Sequence, residues 1–192
     1  MSNKSRTQKR KNEQGFSLLE AVAAIFIITI GLIGTAAAIT YALKFSAISR
    51  NVTNAKLIAT GEIEEIDSLR NTRRLDFNQI ANVGSVDNSK SVNTFTGFMT
   101  GFQPISLNPG PDGVDGTADD LRDPGADGAF GTADDFDNPA LVRSGYQRQI
   151  TITTLTDSLK KVEVKIHYFS SGGNIGELTA VSYLNDEVRV TR

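Results

Sequence analysis

Hydrophobic and polar positions divide the chain into three regimes. From Ala21 to Leu43 there are 23 consecutive residues without a charge, AVAAIFIITIGLIGTAAAITYAL. That length of apolar helix spans a bilayer core with some tilt. Polarity returns at Lys44, and apolar residues then recur at three- and four-residue steps: Val52, Ala55, Ala59, Ile63, Ile66 and Leu69. The spacing predicts that the helix continues to about Arg70, with one apolar stripe packed on a folded domain. Lys56, Glu62, Glu64, Glu65 and Arg70 are expected mostly on its other faces. In the last third the period changes to two. Tyr146–Leu155 alternates with Tyr146, Ile150 and Ile152 on one face, and Lys161–Tyr168 sets Val162, Val164, Ile166 and Tyr168 against Lys161, Glu163, Lys165 and His167. Thr156-Asp157-Ser158 between them reads as a hairpin turn. A second turn over Ser170–Asn174, a strand at Glu177–Leu184 and a short edge strand at Val188–Val190 complete an antiparallel sheet. The expected fold class is α+β, a long N-terminal helix packed on a C-terminal antiparallel sheet.

The expected organisation is a basic leader at 1–15, a membrane helix at 16–43, its amphipathic continuation at 44–70, a connection at 71–107, an acidic loop at 108–138 and the sheet at 139–192. The connection is rich in Asn, Ser and Thr, with one short strand expected near Thr94–Phe98.

Charge sharpens the first region. Lys4, Arg6, Lys9, Arg10 and Lys11 precede the apolar run, with Glu13 the one acid among the first fifteen residues. A basic flank is held on the cytoplasmic side of a membrane. Glu20 then stands one turn into the apolar segment, after Gly15-Phe16-Ser17-Leu18-Leu19. An unpaired carboxylate costs a few kcal/mol near a bilayer centre and less near its edge. A snorkelling charge at a helix end explains it locally.

GFSLLEA, behind a basic leader and ahead of an apolar helix, resembles the class III signal of type IV pilins and pseudopilins. IGLIGTA at Ile30–Ala36 and AKLIATGEIEEIDSLRN at Ala55–Asn71 are most similar to PilV-type minor pilins and I-type minor pseudopilins. The resemblance implies a pilin-like fold and cleavage between Gly15 and Phe16 by a prepilin peptidase, followed by N-methylation of Phe16. It implies that Glu20 pairs with the α-amine of a neighbouring subunit during assembly. It also implies a single-pass protein of the bacterial inner membrane, with the leader cytoplasmic and the C-terminal domain periplasmic. Other pilins or pseudopilins, in a type IV pilus or a type II secretion pseudopilus, are the partners it implies. The first proline is Pro104, so the mid-helix proline of many major pilins is missing, and Gly31 and Gly34 are the residues that allow bending or close helix approach. A secretory signal cut near Ala36–Ala38 is the competing reading of the same apolar run.

The acidic loop contains a duplication. Pro109–Asp120 reads PGPDGVDGTADD and Pro124–Asp135 reads PGADGAFGTADD, identical at nine of twelve positions. Asn108–Asn138 holds nine aspartates against one arginine, a local charge of −8. Closely spaced Asp with interleaved Gly supplies the oxygens and sharp turns that Ca²⁺ requires. Asp112, Asp115, Asp119 and Asp120 form one candidate calcium set, and Asp127, Asp134 and Asp135 the other, with Phe130 in place of Asp115. Without an ion, such a loop is expected to repel itself open. Neither copy is an EF-hand, since the bidentate Glu at the twelfth position is missing.

Composition excludes other chemistry. There is no cysteine, His167 is the single histidine and shares a polar strand face, and the net charge of −2 gives no case for nucleic acid. HExxH sites, Cys-His dyads and a GxxxxGK[ST] loop are absent, so an enzyme is not expected. The expected function is a structural subunit of a pilus or pseudopilus. The alternative is an anchored calcium-binding or adhesive domain outside any filament.

Overall fold

The computed structural model describes residues 17–169 and 175–186. One helix, α1, runs over Leu18–Asn71. The strands are β1 (Gln103–Ser106), β2 (Arg122–Asp123), β3 (Phe136–Asp137), β4 (Val142–Thr156), β5 (Leu159–Phe169) and β6 (Ile175–Asn185). A 3-10 turn, Pro139–Leu141, leads into β4, with Asn138 accepting the Ala140 N–H as its cap. The chain divides into two compact units, Met1–Phe45 and Ser46–Arg192.

In the first unit every described residue of α1 is exposed, including Ile25, Phe26, Ile33 and Ile39. It is the one helix among the described residues long and apolar enough to cross a membrane. Its threonines do not spoil that character. The hydroxyls of Thr29, Thr35 and Thr40 donate to the carbonyls of Ile25, Leu32 and Ala36 at 2.8, 2.9 and 2.9 Å. Each polar group is thereby satisfied within the helix, as a span in lipid demands.

In the second unit the remainder of α1 packs on a four-stranded antiparallel sheet of order β1-β4-β5-β6. Ala55, Ile58, Ala59, Ile66 and Leu69 of the helix join Ile150, Val162, Val164, Ile166 and Leu184 of the sheet in one core. Each Ile, Leu or Val among them contributes about 1.5–3 kcal/mol on full burial. Asn51 Nδ2 donates to the Phe169 carbonyl at 3.0 Å, and Arg70 Nη1 to that of Asn185 at 2.5 Å, so both ends of this segment are tied to the sheet. The β4–β5 hairpin turns at Asp157-Ser158, as its sequence predicts, and β5 pairs with β6 without interruption over eleven residues. The Ser170–Asn174 turn and the Val188–Val190 strand lie outside the described residues.

The structure corrects two expectations. Thr94–Phe98 is not a strand, and its one ladder contact is an isolated parallel bridge from Phe98 to Asn82. The sheet edge is instead β1, which pairs with β4 only over Val142–Arg148. Beyond it the Asn82 side chain takes the place of a strand. Its Nδ2 donates to the Ile150 carbonyl and its Oδ1 accepts the Ile152 N–H, both at 2.8 Å. Glu62, expected with the other charges away from the apolar stripe, is 8% exposed and faces the core.

Candidate functional site

The duplicated segment folds twice into the same local structure. Asp112 Oδ1 accepts the Val114 N–H at 2.8 Å, and Asp127 Oδ1 accepts that of Ala129 at 2.9 Å. Asp119 Oδ2 accepts the Asp112 N–H at 3.1 Å, as Asp134 Oδ2 does that of Asp127 at 3.3 Å. Asp120 takes the Gly116 N–H at 2.9 Å, and Asp135 takes that of Gly131 at 2.8 Å. The Thr117 and Thr132 hydroxyls donate to Asp119 and Asp134 at 2.6 and 2.7 Å. Gly116 at φ +92° and Gly131 at +88° occupy left-handed backbone, where glycine is free of steric strain. Short Asp side chains that bond nearby N–H groups make these turns. The loop is therefore closed by its own carboxylates, against the expectation of an open, self-repelling segment. Of the residues named for calcium, Asp112, Asp119, Asp120, Asp127, Asp134 and Asp135 each accept N–H groups within the turns, and Asp115 does not. Among the described residues no group of three or more His, Asp or Glu side chains is arranged to hold a metal.

The first copy is locked into the domain. Val114 enters the core at 3% exposure. Arg74 Nη2 donates to the carbonyls of Asp112 and Gly113 at 2.9 and 3.2 Å, and the Met99 N–H donates to that of Gly116 at 2.8 Å. Asp120, 6% exposed, is paired with Arg148 of β4, itself 1% exposed. Arg148 Nη1 reaches Glu62 Oε1 of α1 at 2.6 Å. One guanidinium thus joins helix, repeat and sheet. Burial pushes the Glu62 and Asp120 carboxyls up, with Arg148 pulling both the other way.

Beside this triad lies a second acidic pair. The Asp115 N–H donates to Glu65 Oε1 at 3.3 Å, while Asp115 Oδ1 is buried with no partner. Burial first, and the Asp115 carboxylate second, push Glu65 up to about 7. The pair opens into a groove of about 370 Å³ whose walls include Leu57, Ile58, Gly61 and Ile105.

Glu20 is exposed in the first turn of α1. Gly15 and Phe16 lie outside the described residues. Lys160 is a buried charge whose place on the face of Val162, Val164 and Ile166 follows from alternation, a signal the sequence reading did not use. Its Nζ donates to the carbonyls of Phe77 and Ile80 at 2.6 and 2.8 Å, which closes the connecting segment onto β5. His167 stacks on Phe102 with ring centroids 3.5 Å apart and meets Glu177 at 3.0 Å, a surface arrangement without a nucleophile. Arg148 was legible only as a polar residue at an inward position between Tyr146 and Ile150, a signal that marks a buried charge in want of partners.

A family model described as the prokaryotic N-terminal methylation motif matches residues 10–36, a stretch that covers well under half the chain. Neither curated proteins nor solved structures gave a match. The matched motif is the class III signal of type IV pilins and runs directly into the apolar helix. It suggests a type IV pilin-like protein that is processed by prepilin peptidase, a structural rather than an enzymatic class. Motif and helix together fit an inner-membrane-anchored protein.

Proposed function

We propose that this chain is a minor pilin or pseudopilin, a structural subunit assembled into a type IV pilus or a type II secretion pseudopilus. The observation that supports the reading is the methylation motif over residues 10–36 leading into an apolar helix that continues into a folded domain. Cleavage after Gly15 would create a cationic α-amine at Phe16, with an ordinary pKa of about 7.7–8. Packing two apolar helices side by side then pairs that amine with Glu20 of a neighbour, which removes two charges from a low-dielectric setting at once. The Ser46–Asn185 part would sit at the filament surface or tip.

Mass spectrometry of protein taken from its native membrane tests the reading. The expected mature chain begins at methylated Phe16. A chain that keeps Met1, or that starts near Ala38, defeats it.

A further inference from the structure

One end of the second unit gathers exposed apolar side chains. Phe169 and Ile175 are Cα partners where β5 meets β6, and they are 44% and 58% exposed. Residues directly opposite on antiparallel strands put their side chains on one face, so the two form a single apolar step. Asn51 Nδ2 donates to the Phe169 carbonyl at 3.0 Å, which fixes this end of the sheet to α1. Flanking Asn51, Ile48 and Val52 share one helix face and are 40% and 36% exposed. Glu177, the acid two residues past Ile175, is engaged by His167 at 3.0 Å.

The chain itself carries this end close to the uncharged run. Asn51 stands eight residues after Leu43, which is about 12 Å of helix. The headgroup layer of a bilayer extends about 5–8 Å beyond its hydrocarbon core. Between Glu20 and Glu62 there is no acid, while Lys44, Arg50 and Lys56 are cationic. Such a segment is attracted to phosphate headgroups.

We propose that the end of the domain carrying Phe169 and Ile175 rests on the phospholipid surface, with both side chains in the headgroup layer and Arg50 meeting lipid phosphate. Aromatic and aliphatic groups beside a cation suit that layer, which is apolar on one side and charged on the other. Contact at this end holds the domain in one orientation on the bilayer. The proposal rests on the reading of the uncharged run as a membrane span.

The chain has no tryptophan, so each single substitution is its own fluorescent reporter. The full chain is reconstituted into vesicles of equal parts phosphatidylglycerol and phosphatidylcholine, brominated either near the headgroup or near the end of the acyl chain. Phe169→Trp and Ile175→Trp should each be quenched at least about twofold more by the shallow bromine than by the deep one. Val92 is fully exposed beside Ser91, which bonds Asp76 beyond the C-terminal end of α1, and Val92→Trp should respond to neither. Phe26→Trp, inside the uncharged run, should be quenched and reports on the span alone. Quenched Phe26→Trp with unquenched Phe169→Trp and Ile175→Trp overturns the proposal and leaves the span standing. That holds whether the two emit as from water or, shifted to the blue, as from contact with a second copy. An unquenched Phe26→Trp overturns the span and the proposal with it. Equal quenching of Val92→Trp means adsorption without orientation and overturns the proposal as well.

Discussion

Two segments of near-identical sequence end in different surroundings. Residues 109–120 and 124–135 build the same Asp-capped turns, with glycines at matching dihedral angles. Yet Val114, Gly116, Thr117 and Asp120 are buried in the first copy, while Ala129, Gly131 and Thr132 are exposed in the second. Asp120 is held by a buried Arg148, whereas Asp135 meets a partly exposed Arg122 at a looser 3.8 Å. Local hydrogen bonding therefore shapes a repeat without deciding its place. The copies differ at Pro111 against Ala126, Val114 against Ala129 and Asp115 against Phe130, and only the first meets a buried cation, Arg148.

The largest expected effect comes from removing the buried cation of the first copy. Arg148→Ala leaves Glu62 and Asp120 buried and uncompensated, and should cost about 3–5 kcal/mol in denaturant unfolding. Arg122→Ala, at the matching place in the second copy, should cost less than about 1 kcal/mol. Equal losses would mean that the two copies are held alike.

Next come the glycines. A Cβ on Gly116 would stand 2.7 Å from Ile150 Cδ1 and 3.2 Å from Phe98 Cδ1, whereas one on Gly131 meets nothing within 4 Å. Both substitutions incur left-handed strain of about 1–2 kcal/mol. Only Gly116→Ala adds overpacking, of about 1–3 kcal/mol. Thermal melting of the two variants should separate them accordingly.

Titration sharpens the contrast at Asp115, the position where the second copy carries Phe130. The Glu65 carboxyl is raised from 4.5 to about 7. Between these values the unfolded chain has lost the proton that the native state still holds, so the contribution of Glu65 to stability falls as pH rises from about 4.5 to 7. Glu65→Gln should flatten that part of the stability–pH curve, measured by urea unfolding at stepped pH. An unchanged slope would place the pair apart from the titration. No matching effect is expected from the second copy, which has no carboxyl at position 130.

Calcium gives the smallest expected effect. The Asp112, Asp119, Asp120, Asp127, Asp134 and Asp135 carboxylates already accept N–H groups, so part of their acceptor capacity is used within the turns before any ion binds. Millimolar calcium should shift the melting temperature by less than about 2 °C, whereas a native-state ligand at a hundred times its Kd adds about 2.7 kcal/mol. A large saturable shift would establish the calcium site that the Asp/Gly pattern suggests.

Patterns that depend on near neighbours were readable from the chain. An uninterrupted apolar run, three- and four-residue steps and strict alternation each encode one element, because the helix and strand repeats carry side chains to fixed faces. The long helix, the β4–β5 hairpin and β6 followed directly, as did the duplication and the GFSLLEA signal. What the sequence left open depends on groups far apart along it. Nothing near β4 foretells that Asn82 extends a sheet edge 68 residues away, or that Arg148 collects Glu62 from 86 residues upstream. Acidic residues in a turn look the same whether they seek an ion, an N–H or a guanidinium. Asp120 and Asp135 have the same local sequence, and the tertiary structure alone supplied a buried arginine to one of them. A carboxylate's partner is chosen by what packing brings within about 3 Å after water has been excluded, and that choice is not local.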